Sequence, residues 1–217
     1  PTPARSGRRW LGLAVLSLGV SMIIVDATVV NVALPTIIAD LGLKATDAEW
    51  LNTIYALVFA ALLISVGRAG DRWGRRLAFL IGVAFFVGSS VWAAEASSAQ
   101  ELILARFVQG IGGAIILPAT LSSVNAMFQG RARAAAFGIW GSVIGGMAAL
   151  GPLLGGWLTS DFSWRWIFYI NAPIGVLVVL GALAFVPETK DLHGRRGADP
   201  AGVLTISLGL AAVVFAL

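Results

Sequence analysis

Two ionisable side chains are the first candidates for chemistry, because each lies inside a long apolar stretch of the sequence. Asp26 and Arg106 are the only acid and the only base in the interiors of these stretches. An ionised group among apolar neighbours is costly, so each residue requires a partner or a polar cavity. A buried carboxyl beside a guanidinium can be tuned to gain and lose a proton near neutral pH. We therefore hypothesise that Asp26 carries a proton or senses a cation while Arg106 biases its charge; a structural ion pair is the alternative.

The apolar stretches that contain these residues indicate membrane-spanning helices. Of the 217 residues, 58% are hydrophobic and 12% are charged, which is about half the charged fraction of a soluble domain. Each of the first six stretches is near or above the ~20 residues that cross a bilayer as a helix. The predicted fold class is therefore an all-α membrane protein. The apolar stretches are residues 10–34, 50–66, 77–94, 102–128, 134–158, 167–186 and 203–217.

The distribution of Lys and Arg predicts the orientation. The leading tail and the loops after the second, fourth and sixth spans hold twelve of these residues, against two in the other loops. The positive-inside rule therefore predicts a multi-pass protein of the cell membrane, inner or plasma, with a cytoplasmic amino terminus. It also explains the net charge of +4 without a nucleic-acid partner. In this topology Asp26 lies about 24 Å from the inner interface and Arg106 about 7.5 Å below the outer one.

Local signals agree with these boundaries. Capping boxes at Thr46–Glu49 and Ser98–Glu101 predict helix starts before the second and fourth spans. Asp199 followed by Pro200 predicts the start of a seventh helix. An interfacial aromatic belt is predicted at the outer span ends. The residues of this belt are Trp50, Trp164, Trp166, Phe168 and Tyr169.

Several kinds of chemistry lack the residues that they need. The chain has no Cys, so disulfides, thiolate nucleophiles and Cys metal sites are excluded. His193 is the only histidine and lies in a predicted cytoplasmic loop. A Ser/His dyad or a His-rich metal site therefore cannot assemble within the membrane. We expect neither an enzyme, nor a metal site, nor a cofactor.

The segment after the second span combines arginines, glycines and one acid. Its arginines fit positive-inside anchoring, which does not explain the acid placed among them. Gly67 and Gly74 permit a tight turn, and Asp71 lies close to the start of the third span, where its charge can meet a helix amino terminus. Six of its residues are therefore candidates for a role beyond anchoring: Gly67, Asp71, Arg72, Gly74, Arg75 and Arg76.

This segment resembles the signature loop of the major facilitator superfamily, with Ala69 where the family usually has Leu. Residues 102–114 resemble the family's span 4 motif, whose buried Arg, here Arg106, is associated with proton coupling. Residues 151–156 resemble the antiporter motif of span 5, with Met147 where a Gly is expected. The other motif positions in these two spans are Gln109, Gly110, Gly113, Gly151, Pro152, Gly155 and Gly156.

Two further segments are similar to the fourteen-span drug:proton antiporter branch of that family. They are residues 26–35 in span 1 and residues 164–175 at the start of span 6. Spans 4 and 5 are rich in glycine. The glycines indicate either close helix packing or faces on which helices slide during a transport cycle.

The resemblance implies the amino-terminal six-helix half of the major facilitator fold, built from two inverted three-helix repeats. The implied parts are a cytoplasmic tail (1–9), the six-span transporter half (10–186), a cytoplasmic linker (187–199) and the truncated start of a seventh span (200–217). We expect the chain to be a fragment whose partners include the missing carboxy-terminal half of the same polypeptide and the lipid bilayer. The six candidate residues after the second span, which we call the gate motif, would form a cytoplasmic gate against that second half.

The implied function is a secondary transporter that exports drugs or other small molecules in exchange for protons by alternating access. The proton gradient supplies the energy, so no cofactor is needed, and the substrate is expected to be lipophilic or cationic. A dedicated exporter of one metabolite or antibiotic is the alternative within transport, and a non-transporting membrane sensor of the same fold is the alternative outside it. Phe137 and Trp140 are expected to line a drug pocket, to face lipid or to belong to the core.

Overall fold

The computed structural model describes the backbone of residues 3–189 together with Thr205 and Gly209. It describes the side chains of residues 7–63 and 73–189 and of those two residues. Within these ranges every regular element is an α-helix, which confirms the predicted fold class. The helices are α1 (Pro3–Leu41), α2 (Ala45–Trp73), α3 (Arg75–Glu95), α4 (Ala99–Met127), α5 (Gly130–Asp161), α6 (Trp166–Tyr169) and α7 (Asn171–Phe185).

Five of these segments are long and apolar enough to cross a membrane, among the residues that the structure describes. They are α1, α3, α4, α5 and the continuous stretch Trp166–Phe185 that contains α6 and α7. The remaining long helix, α2, has 29 residues, as many as α4. Pro35, Pro118 and Pro152 lie inside helices, which membrane helices tolerate because neighbouring groups satisfy the freed backbone carbonyls.

The turn between α2 and α3 is shorter than the sequence predicts. The predicted loop from Gly67 is wrong, since α2 continues to Trp73 and the chain reverses at Gly74 alone. Gly74 has φ of 131°, a value that disfavours every residue with a Cβ. Gly67, by contrast, lies within the helix.

Helix starts agree with the sequence at one of the two predicted capping boxes. The Ser98 hydroxyl accepts a hydrogen bond from the Glu101 amide, as predicted, while Glu101 accepts from the amide of Ser97. The box at Thr46 is wrong, since α2 begins at Ala45, two residues earlier than an N-cap at Thr46 requires, and the Asp47 carboxylate accepts from the Lys44 amide. α1 also begins earlier than predicted, at Pro3.

The helices pack around two apolar cores. α1 packs against α5 and α7, α4 against α2 and α3, and α3 against α7. The first core contains Leu13, Phe79 and Phe128 with their buried neighbours. The second core contains Ala33, Leu102 and Phe168 with theirs. Trp164 and Phe168 are buried in this second core, so their assignment to an interfacial belt is wrong, whereas Trp50 and Trp166 are exposed.

The first residues after α7 fold back onto the start of α3. The two carboxylate oxygens of Glu188 accept hydrogen bonds from the backbone amides of Arg76 (3.2 Å) and Leu77 (3.1 Å). These amides belong to the first turn of α3, where a helix has no partners of its own for them. Gly74 is needed here for a second reason, because a Cβ would lie 2.7 Å from a Glu188 oxygen. Glu188 therefore acts as an N-cap supplied by a distant segment.

We expect Glu188→Gln and Glu188→Ala to destabilise the protein by different amounts. Loss of an N-cap costs about 0.5–2 kcal/mol, and Gln keeps one acceptor oxygen. The alanine variant of the full-length protein should therefore unfold at lower temperature than the glutamine variant. The control is Glu49→Ala, which removes an exposed carboxylate on α2. Equal unfolding temperatures for all three variants would contradict the capping role.

Several predictions lie outside the described residues. These are the seventh span apart from Thr205 and Gly209, which are helical, most of the predicted linker, His193, and the Asp199-Pro200 helix start. The side chains of Asp71 and Arg72 lie outside as well.

Candidate functional site

A layer of polar side chains separates the two apolar cores. On α1, Met22 and Ile23 belong to the first core and Val29 to the second, and Asp26 lies between them. Helices α3, α4 and α7 repeat this pattern. Their polar residues between the cores are Ser90, Arg106, Gln109 and Asn171, all buried. We call these four residues and Asp26 the polar layer.

Asp26 and Arg106 form a buried ion pair between α1 and α4. The Arg106 Nη1 group donates to Asp26 Oδ2, and the side chains are 1% exposed for Arg106 and 0% for Asp26. The predicted juxtaposition is thus present, although 80 residues separate the two positions. Neither residue faces lipid. A pair of this kind requires further hydrogen bonds, because both charges have lost their water.

Gln109 supplies some of those hydrogen bonds. Its Oε1 atom accepts from Arg106 Nη1 at 2.6 Å, and its Nε2 atom donates to Asp26 Oδ1 at 2.7 Å. The amide therefore contacts both members of the ion pair. The same Nε2 atom donates to the Ser90 hydroxyl at 2.7 Å, and Asn171 Nδ2 donates to that hydroxyl at 3.2 Å. The polar layer is one connected network over α1, α3, α4 and α7.

The remaining side of the Arg106 guanidinium lies on an aromatic ring. Its central carbon is 4.1 Å from the centroid of the Tyr55 ring, a cation–π distance. Arg106 Nε also points at the Leu51 carbonyl oxygen, 3.5 Å away. Tyr55 itself is buried and its hydroxyl has no hydrogen-bond partner among the described residues. α2 therefore contributes to the site through a ring face and a backbone carbonyl.

The glycines of the span 4 motif bring the neighbouring helices close enough to form this network. A Cβ at Gly110 would lie 2.9 Å from the Tyr55 carbonyl oxygen, and one at Gly113 would lie 3.1 Å from the Phe59 ring. On another face of α4, a Cβ at Gly112 would lie 2.6 Å from the Phe86 amide nitrogen. The motif thus fits α4 against both α2 and α3. This favours close packing as the role of these three glycines.

The residues of the antiporter motif lie on two different faces of α5. Gly151 and Gly155 contact α1, where added Cβ atoms would lie 1.8 Å from Thr28 Oγ1 and 3.0 Å from Val29 Cα. Pro152 is exposed, and a Cβ at Gly156 would meet no described atom within 4 Å. Half of the motif therefore packs α5 on the helix that carries Asp26.

The rest of the predicted site residues lie far from the polar layer. Arg75 and Arg76 form the first turn of α3, next to Gly74 and to the Glu188 cap. Phe137 and Trp140 pack against the first core and form an edge-to-face pair with centroids 6.3 Å apart. Their position favours the core role for these two aromatic residues.

Long apolar helices around a buried polar layer define the chain as part of a multi-pass membrane protein. A family model described as "Major Facilitator Superfamily" matches residues 16–216. The chain belongs to the major facilitator superfamily, and the resemblance stated from the sequence is confirmed.

Two relatives of this chain are named for resistance and efflux. The chain is 40% identical over 210 residues to the "Puromycin resistance protein pur8" of Streptomyces alboniger, covering 96% of this chain and 42% of that protein. It is 44% identical over 192 residues to the "Multidrug efflux pump LfrA" of Mycolicibacterium smegmatis, covering 88% of this chain and 37% of that protein. The chain thus spans about two fifths of the length of these relatives.

A solved structure shows the same fold. A peptide transporter, POT, crystallised with sulfate superposes with a TM-score of 0.72 at 20% identity, covering 94% of this chain and 45% of that one. Agreement over somewhat less than half of the larger protein confirms the predicted six-helix half. At this identity the likeness concerns the fold alone.

Sequence reasoning identified three of the five residues in the polar layer and missed Ser90 and Asn171. Asn171 lies in the segment that resembles the start of span 6, and its amide at the start of an apolar helix was the available signal. Ser90 gave a weaker signal, because serine is common in membrane helices and bonds its own backbone there. Tyr55 was missed because its contribution is a ring face.

Proposed function

We propose that the complete protein is a proton-coupled secondary transporter that exports drugs or other small molecules across the cell membrane by alternating access. The observation that carries this proposal is the Asp26–Arg106 ion pair, which lies fully buried between two helices of a chain whose relatives are named for resistance and efflux. A carboxyl group that changes its charge at this position changes the attraction between α1 and α4.

The proposed cycle couples the Asp26 proton to helix packing. With Asp26 ionised, its carboxylate attracts the guanidinium and accepts from Gln109, and the pair is closed to solvent. Proton exchange therefore requires these helices to separate far enough to admit water. Protonation of one Asp26 oxygen removes the ionic attraction, while Gln109 and the Tyr55 ring still hold Arg106. Binding and release of the proton thus favour different packings.

The remaining features of the proposal concern orientation, energy and substrate. The distribution of arginines supports a cytoplasmic amino terminus and a cytoplasmic position of the turn between α2 and α3. The proton gradient is the energy source, so no cofactor or metal is proposed. The names of the relatives support a drug or another small molecule as the substrate, and we propose that it is lipophilic or cationic. The gate motif at Gly74, Arg75 and Arg76 would contact the second half of the transporter.

The test is pH-dependent efflux by the full-length protein reconstituted in vesicles with a panel of cationic and neutral compounds. An imposed proton gradient should drive accumulation of several compounds against their concentration gradients, and a protonophore should abolish it. Transport of one compound alone would favour the dedicated exporter, and binding without flux would favour the sensor. Efflux that does not respond to the proton gradient would refute the coupling.

A further inference from the structure

A basic cavity lies at the end of the bundle where α1 and α3 begin and where α4 and α7 end. Its volume is about 470 Å³. Its polar lining comes from three arginines and its apolar lining from the last residues of α4 and α7. The residues are Arg8, Arg9 and Arg76, with Met127, Phe185 and Val186. This cavity lies at the end of the helix bundle that is opposite the second core, and it does not include residues of the polar layer.

The guanidinium groups of Arg8 and Arg76 are held in place with donors to spare. Arg8 Nη2 donates to the Ala184 carbonyl oxygen at 2.7 Å, and Arg76 Nη1 to the Val186 carbonyl oxygen at 3.4 Å. The first carbonyl lies in the last turn of α7 and the second on Val186, the residue that follows the helix, where a helix end leaves its acceptors free. A guanidinium has five N–H donors, so one bond to a carbonyl leaves others available to a ligand.

Arg9 has a buried N–H donor that lacks a hydrogen-bond acceptor in the described part of the chain. Its Nε atom is buried and has no hydrogen-bond partner among the described residues, while its guanidinium carbon lies 5.5 Å from the Phe128 ring centroid. A buried donor without an acceptor carries a desolvation cost. The Glu188 carboxylate lies 3.8 Å from Arg76 Nε and therefore neutralises Arg76 in part. Arg8 and Arg9 have no such ion pair in the described part of the chain.

The walls of the cavity favour a lipid over a free anion. Met127 and Phe185 close its apolar side, and the α1 backbone approaches both, since a Cβ at Gly12 would lie 2.6 Å from Met127 Cε and 3.0 Å from the Phe185 carbonyl oxygen. Residues 10–16 of α1, which follow Arg8 and Arg9 directly, are all apolar. The cavity therefore lies at the level of the bilayer interface, where phosphate and glycerol groups meet the first acyl carbons.

We propose that this cavity binds the phosphate headgroup of an anionic phospholipid through Arg8 and Arg9, with its glycerol backbone against Met127 and Phe185. Basic pockets between helices on the cytoplasmic side of membrane proteins bind such headgroups. This inference goes beyond the proposed function, since it assigns a lipid site that is independent of substrate and direction of transport.

The first experiment is native mass spectrometry of the full-length protein with equal amounts of phosphatidylglycerol and phosphatidylcholine of matched acyl chains. The unaltered protein should retain phosphatidylglycerol preferentially. The double variant Arg8→Ala/Arg9→Ala should bind it more weakly by roughly thirtyfold, which is the equivalent of about 2 kcal/mol from two basic residues near the surface. The control is Arg131→Ala/Arg133→Ala, which removes two arginines from the exposed first turn of α5.

The outcomes distinguish a lipid site from general surface charge and from a free-anion site. Equal losses in the two double variants would overturn the proposal, because surface charge would then suffice. Displacement of the lipid by millimolar inorganic phosphate would also overturn it in favour of a free-anion site. Retention by Arg8→Lys/Arg9→Lys of part of the preference would support it, since lysine keeps the charge and loses the planar fork.

A second measurement needs no variant. Arginine modification by phenylglyoxal can be followed by peptide mass spectrometry on the unaltered protein in nanodiscs of either lipid. Arg8 and Arg9 should react severalfold more slowly in phosphatidylglycerol than in phosphatidylcholine, whereas Arg131 and Arg133 should react equally in both. Absence of protection at Arg8 and Arg9, or equal protection of all four, would overturn the proposal.

Discussion

Asp26→Asn is expected to abolish proton-driven efflux by the full-length protein. Asparagine has nearly the same shape and keeps one acceptor oxygen for Gln109, but it cannot ionise. Arg106 then remains buried without a counterion, and breaking a buried pair in this way costs about 3–5 kcal/mol. The measurement is uptake into inside-out vesicles under an imposed pH gradient, accompanied by unfolding temperature.

The matched control for this variant is Asp40→Asn on the same helix. Asp40 accepts hydrogen bonds from Trp164 Nε1 and from Arg165 Nη1, at 2.9 Å and 2.7 Å. This ion pair is partly exposed, with side chains 47% and 34% exposed for Asp40 and Arg165, and exposed pairs are worth about 0–1 kcal/mol. Asp40→Asn should therefore retain proton-driven efflux.

A double variant separates proton coupling from a structural role of the ion pair. Asp26→Asn/Arg106→Gln removes both charges and leaves hydrogen-bonding groups for Gln109, so the unpaired charge disappears and stability should recover. If the pair only holds α1 to α4, efflux should recover with stability. If Asp26 carries the coupled proton, the double variant should be stable and still inactive. Recovery of gradient-driven efflux would refute our assignment of Asp26.

The juxtaposition of Asp26 and Arg106 could be predicted because each residue removes the other's cost of burial. Each residue alone in an apolar stretch is unfavourable, and each was the only one of its sign, so mutual pairing was one of two arrangements that the sequence allowed, the other being a polar cavity. The long apolar stretches likewise predicted the order of the long helices, and five of the described segments are long and apolar enough to cross a membrane. These signals are strong because a charged side chain inside the bilayer has a high free-energy cost.

Other parts of the site could not be predicted because their signals are not local. Glu188 caps α3 across about 110 residues of chain, and nothing near Glu188 indicates that contact. Ser90 and Asn171 become connected only when α3 and α7 meet. The extension of α2 to Trp73 was missed because Gly67 suggested a turn, although glycine is tolerated inside membrane helices. These features depend on contacts between residues that are distant in the sequence, which local sequence patterns do not indicate.

Gly112→Ala is expected to be the most damaging single-methyl substitution in the bundle. The added Cβ would lie 2.6 Å from the Phe86 amide nitrogen, 2.9 Å from Phe86 Cα and 3.0 Å from the Gly82 carbonyl oxygen. All three atoms are backbone atoms of α3, so no side-chain rotation can relieve the overlap. α3 and α4 must separate, and overpacking of this kind costs about 1–3 kcal/mol.

The same separation should reduce transport, because the polar layer crosses this interface. Gln109 on α4 donates to Ser90 on α3 at 2.7 Å, and a shift of several tenths of an ångström weakens that bond. The control is Gly88→Ala on α3, where a Cβ meets no described atom within 4 Å; this variant should be as stable as the unaltered protein or slightly more, since alanine favours helix by about 1 kcal/mol. Unfolding temperature and proton-driven efflux should both fall for Gly112→Ala alone. Equal unfolding temperatures and equal efflux for the two variants would mean that α3 and α4 pack less closely than the structure indicates. The hydrogen bond between Gln109 and Ser90 would then not be supported.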